Sequence, residues 1–356
     1  MGIDLVRVPV DLLDDFTYRV FRALSVPADD ARDCANALMQ SELRYHPGQG
    51  QGVRRLPTYR DRIRSGYIVP GAPFEIIKQS PALALVDGHN GLGSPVGQRA
   101  MRLAVEKAKI SGVGTVIVRN STHYGSSSVH ARLAVEQGCI GLALTNAGPE
   151  MAPWGGASGV VGTNPWGMAA PTGLGYDVVL DIALTTAGKG MMRWYEREGK
   201  KMPLDWALTP DGEETDDPTA AMAGALLGIG QYKGSGLAFM TDVMTGVIAG
   251  GGFGLAPYAN PAKQDVSHTM IAIDVEWFMP MSEFTARMDD FIGQMKAAKP
   301  RPGFSEILVP GELEHRREVG YRQDGAKLDA EIFDQLQALA ADLKIAFPFE
   351  RELVTA

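Results

Sequence analysis

At 356 residues the chain is long enough to bury a substantial core and suggests about two lobes. Its 45% hydrophobic and 21% charged content fits a globular protein, and a net charge of −8 argues against sequence-independent nucleic-acid binding, which needs Lys and Arg to neutralise phosphates. The two cysteines, Cys34 and Cys139, lie far apart in apolar patterns and read as reduced, buried residues rather than a disulfide framework.

Residues 1–10 lack the basic-then-apolar order of a secretory signal, and no apolar run reaches the ~20 residues that span a bilayer. The best candidate, 236–250, is too short and contains Asp242. A cytoplasmic protein with no membrane partner is expected. From 10 to about 43, Leu13, Phe16, Val20 and Leu24, then Ala31, Cys34, Ala35, Leu38 and Met39, recur at helical spacing. A loop of turn formers, 45–52, leads to a short basic helix at 54–65. Strands are expected at 84–87, 115–118 and 141–145, with helices at 94–108 and 128–137 between them. Such alternation points to a mixed α/β core. A Gly/Pro/Trp-rich stretch, 146–174, is too long and too apolar for a linker. A strand at 178–182, a polar irregular region at 197–219, a small-residue helix at 234–249, a strand at 268–275 and helices at 281–298 and 327–343 complete the chain.

Several constellations can carry chemistry, and each has a plainer structural reading. Gly91-Leu92-Gly93-Ser94-Pro95-Val96 opens a helix after a strand, like a dinucleotide fingerprint. Val96 stands at the third glycine position, however, and the next strand ends in Arg119-Asn120 rather than an acid that would hold a ribose. A tight helix start explains the glycines as well. The run 119–128 joins a strand end to a helix N-terminus, where anions are favoured. It carries His123, a side chain suited to proton exchange near neutral pH, or merely a surface histidine in a capping loop. Thr145-Asn146 and Thr163-Asn164 follow β-like runs; they could grip an amide or ribose, or supply turn chemistry. Asp181 in 178–183 needs a partner if buried, either a histidine or backbone amides. The turn 231–236 resembles a phosphate-binding loop with Lys233 as its charge, or a capped helix with an exposed lysine. None of these readings requires a metal.

Taken in order, the blocks 51–59, 120–125, 145–146, 153–155, 162–165, 180–183, 232–236 and 309–312 resemble the malate/L-lactate dehydrogenase family, whose members include ureidoglycolate and sulfolactate dehydrogenases, diketogulonate reductase and cyclic imino-acid reductases. The resemblance implies an α/β fold outside the Rossmann class. A mixed-sheet cofactor domain at 76–299 would join a helical domain formed by 1–75 and 300–356. It also implies a homodimer and hydride exchange between NAD or NADP and a small carboxylate, a 2-oxo/2-hydroxy acid or a cyclic imino acid. By position, Val179, Leu180, Asp181 and Ile182, the pair Tyr232-Lys233 and the segment Gly311-Glu312-Leu313 match cofactor-contacting segments, with Thr145, Asn146, Thr163 and Asn164 beside them. Arg55 matches an arginine that holds the substrate carboxylate, with Tyr59 nearby; a guanidinium fork suits that task.

One departure stands out. Family members place a proton-donating histidine before the Arg-Leu/Phe-Pro block, whereas this chain reads Gly50-Gln51-Gly52-Val53. An amide donates a hydrogen bond but no proton. Three repairs are open: His46 from the lengthened loop, His123 oriented by Asp181, or an iminium substrate that already carries its proton. A catalytically silent cofactor- or carboxylate-binding relative is the alternative from another class. Lys233 and Arg119 are candidate partners for a 2′-phosphate, so the choice between NAD and NADP stays open. The polar stretch 193–217 either shapes the substrate pocket or is plain surface.

Overall fold

The computed structural model describes residues 4–49 and 51–354, so Gly50 of the Gly50–Val53 block lies outside the described residues. The chain begins with strand β1 (Leu5–Val8) and helices α1 (Val10–Ala23), α2 (Ala28–Arg44) and α3 (Leu56–Arg64), the last entered through short turns at Pro47–Gln49 and Val53–Arg55. Next come β2 (Glu75–Gln79), β3 (Leu83–Asp87), α4 (Gly93–Ser111), β4 (Val113–Ser121), α5 (Ser127–Val135), β5 (Cys139–Thr145), β6 (Trp166–Ala170) and β7 (Val178–Ile182). The remainder holds α6 (Lys189–Arg197), α7 (Pro218–Ala223), α8 (Tyr232–Asp242), β8 (Val266–Asp274), α9 (Met281–Ala297), α10 (Glu312–Asp324), β9 (Ala326–Asp329), α11 (Ala330–Leu343) and β10 (Glu352–Val354).

The main sheet has the order β2-β3-β4-β8-β5-β6-β7, and of its neighbouring strands only β3 and β4 run parallel. Strand β8, formed late in the chain, slots between β4 and β5. A doubly wound parallel sheet is thereby excluded, and the mixed, non-Rossmann α/β class is the observed one. Helices α4 and α5 cover the sheet with Val96, Met101 and Ala131 against Val86, Val116, Val118 and Met270.

A second core joins the two ends of the sequence. Leu13, Phe16, Val20, Leu38, Val53 and Leu56 meet Leu328, Phe333, Leu336 and Leu339. Apolar residues three and four apart on α1, α2 and α11 present one face each to this cluster. This lobe is not purely helical: β1 pairs antiparallel with both β9 and β10. The expected helix at 327–343 therefore starts only at Ala330, because residues 326–329 are drawn into pairing with β1.

Other differences have local causes. β2 lies at the sheet edge with all five residues exposed, so it carries no burial alternation to read. β6 is hidden inside the Gly/Pro/Trp-rich stretch; a Cβ on Gly167 would sit 2.4 Å from the Ser127 backbone, so glycine there reflects the close approach of α5. The helix expected at 234–249 is α8 followed by a π-helical turn at Val243–Val247. Helix α10 buries little beyond Glu312, so its sequence shows little apolar periodicity.

Candidate active site

The turn at 53–55 runs directly into α3, which places Arg55, Tyr59 and Arg62 at successive turns of one helical face. Tyr59 is buried with its ring edge against Phe21, and its Oη lies 3.1 Å from Nδ1 of His123. The His123 backbone N–H donates to Oε1 of buried Gln264 at 2.9 Å. Burial, then the Arg55 and Arg62 charges and His268, push the His123 imidazole well below its usual range, so it is neutral at pH 7. Burial likewise pushes the Arg55 guanidinium down; Tyr59 and Tyr258 oppose this, while Arg62 and Arg193 add to it.

Beside His123 sit two histidines of different character. The Tyr124 ring is stacked between His130 and His268, at centroid distances of 4.2 and 4.6 Å. Both His268 ring nitrogens are engaged, Nδ1 with Thr145 Oγ1 and Nε2 with Ser121 Oγ, each at 2.8 Å. Burial lowers His268 to about 3 and His130 to about 4. The other rings, those of His123 and His130, are each engaged through one nitrogen among the described residues, His123 through Nδ1 and His130 through Nε2.

A cavity of about 950 Å³ opens between the 46–58 segment, the start of α5, the end of β7 and α6. Arg55 and Gln51 lie on its wall, and the Gln51 Oε1 is buried without a hydrogen-bond partner among the described residues. His46 is at the mouth, where its Nδ1 accepts the Gly48 N–H at 3.0 Å and its ring packs edge-on to Trp194 at 4.8 Å. Asp181 also lines the cavity, but it does not orient His123. Its Oδ2 accepts the Ser128 N–H at 2.8 Å, within a cluster that includes Tyr45, and burial raises its pKa. His123 is instead held by Tyr59 and Gln264.

Thr163 and Ile182 reach the cavity wall, whereas several other expected contacts are spent on the chain itself. Asn146 clamps Gly252 and Ser267 through its side-chain amide, and Thr145 Oγ1 bonds His268 and backbone carbonyls. Asn164 accepts from Ala147 and donates to Ala238. For these three, turn and strand-end chemistry is what the geometry shows. Val179 is buried and donates its N–H to the Pro310 carbonyl, and Gly311, with φ 87°, packs closely against it. Leu180 lies on the same edge strand. Glu312 is buried; burial pushes its carboxyl up, but Lys296, the Val309 N–H and Arg316 outweigh that and hold it below its usual range. Leu313, Tyr232 and Lys233 are exposed away from the cavity lining. Arg119 bonds Asp87 at 3.0 Å, which occupies it without any 2′-phosphate. Gly93 meets Thr122 Oγ1 through its N–H, and a Cβ there would clash with the carbonyls of Thr122 and His123, so the glycine-rich turn is a close-packed helix start.

The cavity suits an extended anionic ligand. Its volume lies toward the upper end of ligand sites, roughly 300–1,000 Å³. The N-terminal ends of α5 and α6 both open on it, through Ser126, Ser127, Gly188 and Lys189. No heavy atom lies within 4 Å of a Cβ built on Gly188, leaving room for close approach to the backbone. Among the described residues no group of three His, Cys, Asp or Glu side chains is arranged to hold a metal, and no helix is long and apolar enough to cross a membrane.

Residues 8–337 match the family model for malate/L-lactate dehydrogenase. The chain belongs to that family. It is an NAD(P)-dependent dehydrogenase/reductase. The malate dehydrogenase of Pyrococcus abyssi is 36% identical over 344 residues, covering 94% of each chain. The L-sulfolactate dehydrogenase of Methanocaldococcus jannaschii is 36% identical over 328 residues, covering 91% of this chain and 93% of its own. Among solved structures, malate dehydrogenase from Entamoeba histolytica superimposes with a TM-score of 0.93 at 29% identity, covering 97% of this chain and all of that one. Within this family fold, Arg62, Gln264, Tyr258 and the helix α6 are the site features that sequence reasoning missed. The four-residue spacing of Lys189, Arg193 and Arg197 was the available signal for α6.

Proposed function

We propose that the protein interconverts a small 2-oxo acid and its 2-hydroxy acid, with Arg55 as carboxylate anchor and His123 as the proton-exchanging group. The observation that carries this reading is the linked set Arg55, Tyr59 and His123: one helical turn separates the first two, and a hydrogen bond joins the second to the third. The malate and sulfolactate dehydrogenases among the relatives act on acids of this kind.

A nicotinamide cofactor held at the α5 and α6 N-termini, by Ser126, Ser127, Gly188 and Lys189, would supply or accept the hydride at the substrate C2. In the tautomer whose Nδ1–H donates to Tyr59 Oη, Nε2 of His123 has a free lone pair and takes the hydroxyl proton as the 2-hydroxy acid is oxidised. In reduction the same nitrogen returns that proton to the carbonyl oxygen. Gln51, at the place of the family's proton-donating histidine, hydrogen-bonds the substrate without exchanging a proton. His46 is less suited to the role, because it is exposed and its Nδ1 is tied to the Gly48 N–H. A second reading, reduction of a cyclic imino acid, is favoured by Gln51 itself, since an iminium brings its own proton.

We also infer a homodimer. Phe239, Ile248, Phe253 and Leu255, on α8 and the segment after it, are each more than half exposed, a concentration of bare apolar surface that a second copy would cover.

The test is cofactor oxidation measured with NADH and with NADPH against a panel of 2-oxo acids and cyclic imino acids. Turnover on a 2-oxo acid, lowered about 100-fold or more by Arg55→Gln, supports the reading. Cofactor binding with no turnover on any member of the panel overturns it in favour of a silent relative.

A further inference from the structure

Helix α6 presents a basic stripe to the cavity. Lys189, Arg193 and Arg197 are spaced four apart and all three line it, while Met192 on the adjoining face is fully buried in a small apolar core. The two ends of the stripe are neutralised. Lys189 lies 3.5 Å from Glu150, and Arg197 bonds Asp329 at 2.8 Å, with Glu331 beyond it. The centre is not: Arg193 is exposed to the cavity and has no carboxylate partner among the described residues. Its charge, like that of Arg62, acts against the Arg55 guanidinium.

The stripe is held in place. The 46–49 loop docks on the start of α6 so closely that a Cβ on Gly190 would lie 2.1 Å from the Gly48 carbonyl, and His46 rests on Trp194, next to Arg193. Asp329 accepts from Arg54 as well as Arg197, tying the far end of α6 to the helical lobe. A guanidinium on so braced a helix, facing the Arg55 wall, is arranged for an anion rather than for bulk solvent.

We infer that Arg193 is a specificity-determining residue that binds a second acidic group on the substrate, so that the preferred substrate is a 2-oxo acid with a carboxylate or sulfonate at its far end. This rests on the dehydrogenase reading above and deepens it. Arg55 takes the carboxylate beside the reacting carbon and Arg193 takes the distal anion. A monoacid of the same length leaves Arg193 without a counter-charge and loses that contact.

The experiment compares wild type, Arg193→Gln and Arg193→Lys on oxaloacetate, 3-sulfopyruvate and 2-oxobutyrate with saturating NADH or NADPH. For the two diacids, Arg193→Gln is expected to raise KM about 10- to 100-fold with kcat changed about twofold or less, the size of a lost charged hydrogen bond. KM for 2-oxobutyrate should hold within about twofold, and Arg193→Lys should recover most of the diacid effect, which a merely structural role for the residue would not produce. An equal change for monoacid and diacids overturns the inference. A rise confined to the cofactor's KM also overturns it, since the anion would then be a cofactor phosphate. Turnover of none of the three acids by the wild-type enzyme defeats the dehydrogenase reading itself, and this inference with it.

Discussion

His123 and His268 lie close together, and burial lowers the pKa of both, yet their surroundings assign them opposite work. His268 has each ring nitrogen bonded to a hydroxyl and a tyrosine ring stacked on its face. Every polar atom is satisfied, so it can only hold strands β4, β5 and β8 together. His123 is fixed through one nitrogen and its backbone amide, and it sits in the field of two guanidiniums. The comparison teaches that residue type and burial do not separate a structural histidine from a reactive one. Nor does the count of occupied ring nitrogens alone, since buried His130 also has one unpartnered nitrogen; His123 is set apart by the Arg55 and Arg62 charges around it.

The sharpest way to break this distinction is to remove each ring in turn. His123→Ala is expected to lower kcat by about 10²–10⁴-fold, the usual worth of general acid–base catalysis, with a melting temperature close to wild type. His268→Gln should do the reverse, lowering the melting temperature while the folded enzyme keeps kcat within about threefold. Equal losses of kcat in the two folded variants would erase the division.

A second test is acid stability. The histidines of the Tyr124 stack titrate near 6.5 when unfolded but at about 4 and about 3 when folded. The unfolded chain therefore binds more protons below pH 6.5. Stability is fully present above that pH and is lost as the pH falls toward 4, by up to roughly 1.4 kcal/mol per pH unit for each histidine. Denaturant melts at pH 7, 6, 5 and 4.5 measure the slope. His130→Gln should make it shallower; an unchanged slope would place the titration elsewhere.

The smallest expected effect belongs to Tyr59→Phe. It removes the hydroxyl that fixes the His123 tautomer and should lower kcat by about 3- to 10-fold. In wild type the depressed His123 pKa keeps the proton-accepting form available, so hydroxy-acid oxidation should hold its rate through the pH at which an ordinary histidine would be half protonated and fall only well below it. Stopped-flow rates across pH 5 to 8 check both points.

Much of the sheet was legible because β3, β4, β5 and β8 are apolar runs bounded by turn residues, and α1, α2 and α4 repeat at helical spacing. The order of the strands was not legible from such patterns, since nothing local tells β8 to slot between β4 and β5. Likewise β1, β9 and β10 are too short to announce themselves and exist through pairing across the length of the chain. In the site, Arg55 and Tyr59 were singled out through the family resemblance of the 51–59 block and His123 by its imidazole, and the structure links Tyr59 to His123. Asn146 and Asn164 look the same in sequence whether they hold a ligand or a carbonyl, and only the structure shows that they hold carbonyls. Gln264 escaped notice because its role is to accept one backbone N–H, which leaves no spacing to read.

The shared grip of Asp329 on Arg54 and Arg197 has a consequence for how the cavity comes into being. Its floor is laid down by the first sixty residues and its roof by the middle of the sequence, but the pin between them is encoded past residue 325. A fragment cut before Ala326 would keep every group proposed to touch substrate and still lack both strand partners of Leu5–Val8 and the clasp on α6. The pocket is thus completed by residues that are translated after every strand of the main sheet.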